Sequence, residues 1–140
     1  MVPGETRTGK IFESMLVTAL QKNNYSVQEQ VKVGNKPDGS KYTIDILVDN
    51  LIYISIKWQQ IGGSAGEKIP FEVITLTHIL KTKNNENARA YIVLGGDGWR
   101  KSLKEWYRSP EFLEWIPEAK KYVTIVNENT FVAMINNRQI

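Results

Sequence analysis

The sequence predicts one α/β domain over residues 1–140, a mixed sheet flanked by helices. Three observations predict it. The hydrophobic spacing changes along the chain in the order helix, three strands, helix, strand, helix, strand, which layers helices on a sheet. The length of 140 residues matches the ~100–200 residues of a single domain and suffices for one core without staples. The balance of 41% hydrophobic and 24% charged residues is that of an ordinary globular protein.

The first helix is expected over about residues 8–22, where Phe12, Met15, Leu16, Ala19 and Leu20 recur at helical spacing. Thr6 or Thr8 offers a cap, and Lys22-Asn23-Asn24 ends the helix. Glu13 stands three, four and seven residues before Leu16, Val17 and Leu20, so it borders the buried stripe. A strand over about 26–33 sets Val27, Val31 and Val33 on one face, and residues 34–40 form a dense turn signal. Two strands follow, about 42–48 and 52–58. Ile44, Ile46 and Val48 are even-numbered and apolar, as are Ile52, Ile54, Ile56 and Trp58. Side chains alternate faces along a strand, so the two sets share a core face only when even residues pair with even. A three-residue loop at 49–51 satisfies this and sets Asp45 opposite Ser55; Asp45, Ser55, Lys57 and Gln59 then share the second face. After a flexible loop at 61–66, a helix is expected from about 67 or 70 to 81, with Val73, Leu76 and Leu80 inward. The apolar run 90–94 reads as a strand, 99–108 as a helix, 111–115 as a short helical piece and 122–126 as a last strand; residues 131–135 suit a strand or a helix.

Composition removes several chemistries. Without cysteine there are no disulfides, iron–sulfur clusters, thiol catalysis or cysteine zinc sites. A single histidine, His78, argues against a multi-histidine metal centre and a Ser-His-Asp enzyme. No apolar run reaches the ~18 residues of a membrane span, and residues 1–10 lack a signal-peptide stretch, so a cytoplasmic location is expected. The net charge of +3 permits a nucleic-acid partner without demanding one.

The second face of the central hairpin carries the chemistry. A carboxylate beside an ammonium, with a further carboxylate from a neighbouring helix, suits phosphodiester hydrolysis. Magnesium takes oxygen ligands, typically one or two carboxylates with waters and substrate phosphate. An ammonium can hold the attacking water and offset developing charge. The plain alternative is a cross-strand ion pair between Asp45 and Lys57, worth ~0.2–1 kcal/mol.

Asp45, nine intervening residues and Ser55-Ile56-Lys57 resemble the signature of the PD-(D/E)XK nuclease superfamily. Glu13 on the first helix, Lys57-Trp58-Gln59, the glycine-rich loop and the helix after it extend the resemblance over about residues 8–95. It implies a restriction endonuclease-like αβββαβ core and a Mg2+-dependent DNA endonuclease, with Mn2+ able to substitute. Asp45, Glu72 and the Ile56 carbonyl are the implied metal ligands. Lys57 would position or activate the attacking water, Glu13 would bind a second metal or a metal-bound water, and Gln59 would hold water or a phosphate oxygen. Ile44 replaces the usual proline before the aspartate, and Ser55 replaces the acidic residue two before the lysine. Glu72, fifteen residues after Lys57, is the natural substitute and Glu67 its competitor. Ser64-Ala65-Gly66-Glu67 also reads as a capping box, a reading that Pro70 complicates.

One site per chain cuts both strands of a duplex only in a homodimer or higher homo-oligomer. A homing or phage-type endonuclease is the favoured role by analogy, ahead of a restriction enzyme or a Holliday-junction resolvase. An inactive nucleic-acid-binding module is the competitor that Ser55 keeps open. For DNA contact, Arg100, Lys104 and Arg108 recur at helical spacing with Lys101 adjacent and Trp99, Trp106 and Tyr107 interleaved. A solvated helix with core aromatics is the alternative reading. Gly63 and Ser64, in the loop beside the site, are a second expected contact.

Overall fold

The computed structural model describes residues 3–60 and 65–140, with side chains at 8–60 and 66–140. Helix α1 (Pro3–Lys22) is followed by strands β1 (Val27–Asn35), β2 (Lys41–Val48) and β3 (Ile52–Trp58). A 3-10 turn (Ala65–Lys68) leads into α2 (Ile69–Lys83), then β4 (Arg89–Gly95), α3 (Lys101–Tyr107), α4 (Pro110–Leu113), a second 3-10 turn (Pro117–Lys121), β5 (Val123–Asn127) and α5 (Glu128–Asn136). The five strands form one sheet in the order β1-β2-β3-β4-β5. The first three run antiparallel; β3, β4 and β5 run parallel, joined by helical crossovers. This is the expected mixed sheet flanked by helices.

Several boundaries differ from the sequence expectation. Helix α1 begins five residues earlier than expected, so Thr6 and Thr8 lie within the helix and not at its N-cap. Pro70 falls in the first turn of α2, where a missing N–H costs no helical bond, so it does not interrupt the helix. The residue capping α2 is Lys68, which makes no side-chain cap bond. Helix α3 is shorter than 99–108, with Arg100 extended at its N-cap. Residues 131–135 belong to α5, capped by Asn127 Oδ1, which accepts the Thr130 N–H at 2.8 Å.

The central register is the one that hydrophobic alternation demands. Ile46 pairs with Ile54, Leu47 with Tyr53 and Val48 with Ile52. The three-residue loop between them turns through Asp49 and Asn50, both left-handed (φ 53° and 55°), as these residue types tolerate. The sheet is buried on both faces. Leu16, Leu20, Ile46, Val48, Ile52, Ile54, Phe131 and Ile135 form one core with α1 and α5. Leu47, Tyr53, Val73, Leu76, Leu80, Ile92 and Ile125 form the other with α2.

Here one expectation fails. Ile44, placed by parity with Ile46, packs with Tyr42 in the α2 core. In β1, Val27 packs against the α1 core, whereas Val31 packs against the α2 core and Val33 lies within it. Both strands change face at Gln30 and Asp45, which drop out of the pairing; a second irregularity follows between Lys32 and Gly34, where the register shifts past Val33. Gln30 supplies the break with a left-handed backbone, φ 51°.

Candidate active site

The β2–β3 pairs end at Ile46 and Ile54, one residue before Asp45 would meet Ser55. Beyond that point a side chain replaces the ladder: Asp45 Oδ2 accepts the Ile56 N–H at 2.7 Å. The Leu51 carbonyl and the Gln59 N–H bond to β4, so odd-numbered backbone groups of β3 face β4. The alternation of backbone groups then turns both N–H and C=O of Ile56 toward β2 and Asp45.

On the α2 side, Glu72 is buried and its oxygens are engaged by three side chains. Tyr42 Oη and Ser55 Oγ both donate to Glu72 Oε2, the latter at 2.6 Å. Lys57 Nζ lies 3.4 Å from Glu72 Oε1 with its side chain 29% exposed, so the ammonium is both held and reachable. Burial, and then the Glu72 carboxylate, push the Tyr42 phenol far above its usual range, so it stays a donor.

On the α1 side, Glu13 is buried, 3.8 Å from Lys10 Nζ. Gln30 Nε2 donates to Glu13 Oε1 and Oε2, both at 3.3 Å, and reaches Asp45 Oδ1 at 3.4 Å. Burial raises the Asp45 carboxyl above its ordinary value, against the Ile56 N–H, the Lys57 charge and Gln30, while Glu72 adds to the rise. Burial also raises Glu13, helped by a hydrogen bond with Glu29 and by the Asp45 charge, against Gln30 and Lys10.

Asp45, Lys57, Glu72, Glu13 and the Ile56 backbone thus come together through direct bonds or mutual charge. Glu67 does not join them: it is exposed on the turn before α2. Gln59 is buried but turned elsewhere, its Nε2 donating to the Gly98 carbonyl at 2.8 Å while Oε1 is buried without a partner. It clamps the turn after β4, where Gly96 (φ 90°) is required because a Cβ would lie 2.4 Å from the Gln59 carbonyl oxygen.

The basic stripe is incomplete. Arg100, Lys101 and Arg108 are exposed, but Lys104 is half-buried and pairs with Glu128 at 3.3 Å. Of the interleaved aromatics, Trp99 and Tyr107 are core residues that donate to the Gly95 and Gly66 carbonyls. Gly63 and Ser64 lie outside the described residues.

Two residues in these networks escaped the sequence reading. Tyr42 looks like one more inward apolar residue of β2. Gln30 had a faint signal: Glu29 interrupts the apolar face set by Val27, Val31 and Val33, which marks an irregular strand.

A family model described as a PD-(D/E)XK nuclease superfamily domain matches residues 5–139. Neither the curated proteins nor the solved structures return a match.

Proposed function

The chain belongs to the PD-(D/E)XK nuclease superfamily, and from that membership we propose that it is a magnesium-dependent endonuclease acting on DNA. One observation carries the proposal: Lys57 Nζ lies 3.4 Å from Glu72 Oε1, and both groups act electrostatically on the Asp45 carboxylate. A glutamate from α2 thereby stands where Ser55 leaves the motif without an acid, its Oε2 anchored by Ser55 itself.

The donor set fits a hard divalent cation. Asp45 and Glu13 are raised by burial and Glu13 further by the Asp45 charge, a strain that a cation would relieve. Among the described residues, Asp45 Oδ1 has only the long contact from Gln30. Among the described residues no three His, Cys, Asp or Glu side chains form a metal-binding group. Magnesium, however, usually takes only one or two carboxylates and fills the rest of its shell with waters and phosphate. Asp45, Glu72 and the Ile56 carbonyl would hold the ion, with Glu13 on the outer side. When bound, it supplies Lewis-acid polarisation of the phosphate and a water of lowered pKa.

The chain's own groups do the rest. Lys57 orients the attacking water and offsets charge developing on the phosphate. Tyr42 and Ser55 fix Glu72 so that its free lone pairs stay aimed at the site. Arg100, Lys101 and Arg108 contact backbone phosphates, each adding to the salt dependence of binding. A homodimer delivers two cuts to a duplex, and a homing or phage-type role is the one we favour.

One observation favours a second reading, a binding module that has lost hydrolysis: Glu72 is already engaged by three side chains. Incubation of supercoiled plasmid with Mg2+ or with EDTA separates the two. Nicking or linearisation that needs Mg2+ and disappears in Asp45→Ala supports the enzyme; DNA binding with no cleavage under any metal supports the module and overturns our proposal.

A further inference from the structure

Gln30 combines two features that are independent of each other. Its backbone is left-handed in the interior of a strand, a conformation costly for a glutamine. Its side chain reaches both acids on the α1 side, with Nε2 donating to Glu13 and to Asp45 Oδ1. The amide orientation follows from its surroundings, since only the NH2 end can face three carboxylate oxygens. Strained backbone of this kind persists where surrounding structure demands it, and here it swings β1 across to the opposite core.

We infer that Gln30 is a placeholder for the divalent cation: its amide occupies the carboxylate lone pairs of Glu13 and Asp45 in the metal-free protein and must withdraw before an ion can use them. The inference rests on the metal-dependent reading above and adds a positioning residue that the superfamily motif does not contain. Its logic is linkage. A contact made only in the metal-free state stabilises that state and lowers the apparent metal affinity by the same factor. Gln30 would thus keep two acids of like charge together without an ion, at the cost of weaker binding. The protein gains an acid pair that stays folded when metal is scarce and is released only by a competing cation.

The test compares wild type with Gln30→Ala and Gln30→Gly in the full chain, reading Mn2+ binding by electron paramagnetic resonance and melting temperature in EDTA. The glycine variant adopts the left-handed backbone readily, so its Mn2+ affinity reports loss of the amide without a distorted strand. Both variants should bind Mn2+ several-fold more tightly than wild type, and the alanine variant should melt lower than wild type in EDTA. Weaker Mn2+ binding in both variants would make Gln30 a ligand, and unchanged binding would make it a bystander; either result overturns the inference. Should wild type bind no divalent ion at all, the metal-dependent reading falls first. Mn2+ binding that Asp45→Ala abolishes but Gln30→Gly leaves unaltered removes only the placeholder.

Discussion

Glu72 and Asp45 act on each other electrostatically yet stand in unlike surroundings. Glu72 is held from three directions by Tyr42, Ser55 and Lys57. Asp45 keeps one firm bond, to the Ile56 N–H, and a long one to Gln30; its neighbour Glu13 depends on the same amide. One acid is built into the fold like a core residue, while the other pair is left short of donors. The contrast teaches a division of labour. The α2 side supplies a rigid reference for the lysine, and the α1 side carries negative charge that Gln30 and Lys10 offset only in part. Preorganised groups of the first kind are what an electrostatic catalyst needs. Groups of the second kind give a cation its differential advantage.

The largest expected effect breaks the comparison at its hinge, Lys57. Lys57→Ala should lower Mg2+-dependent plasmid cleavage by roughly 10³-fold while leaving DNA affinity in place, as read by fluorescence anisotropy. Cleavage at the wild-type rate would remove Lys57 from the chemistry. Next in size is the choice of acid. Glu72→Gln should abolish most cleavage and also destabilise the fold, because Tyr42, Ser55 and Lys57 all lose a charged partner. Glu67→Gln, on an exposed turn, should leave both unaltered. Reversal of that order would exchange their roles.

Tyr42→Phe sharpens the same side. It deletes one buried bond to a charged group, worth about 1.5–3 kcal/mol, and should shift the urea midpoint accordingly. If the hydroxyl only props up the fold, cleavage by the folded variant stays at the wild-type level. If it aims Glu72, kcat falls with KM unaltered, as for an interaction made chiefly in the transition state.

How much of this the sequence disclosed depends on which residues carried a periodic signal. Ile46, Val48, Ile52 and Ile54 alternate cleanly, and parity alone selected the three-residue loop and the observed register. Glu72 was singled out through the resemblance alone, as the acid fifteen residues after Lys57 that could stand in for the one missing at Ser55. The face switch at Gln30 and Asp45 was not legible, because a single left-handed residue breaks parity while leaving composition untouched. Ile44 was misplaced for that reason. The α3 stripe failed for another: spacing puts Arg100, Lys104 and Arg108 in line, but the partner that takes Lys104, Glu128, comes from a distant helix. Gln59 has the residue type of a water-holding group, and only tertiary structure turns its amide toward Gly98.

The smallest effect tests the α1 side through pH. In the folded chain, burial raises the Asp45 carboxyl above its ordinary value of 3.8 and Glu13 above 4.5. The folded state therefore holds these protons more tightly than the unfolded chain. Stability falls as pH rises from the ordinary carboxylate range through the folded pKa values, and is flat above them. Asp45→Asn keeps an acceptor for the Ile56 N–H but carries no charge to desolvate. In EDTA it should melt slightly above wild type at neutral pH, with the difference closing as acidification protonates the wild-type group. Glu13→Gln should move the same way. Saturating Mg2+ inverts the order, since the ion stabilises only the chain that binds it. An Asp45→Asn protein that melts below wild type in EDTA at neutral pH would mean that Asp45, like Glu72, is bound into the fold by its donors, and the distinction between the two sides would be lost.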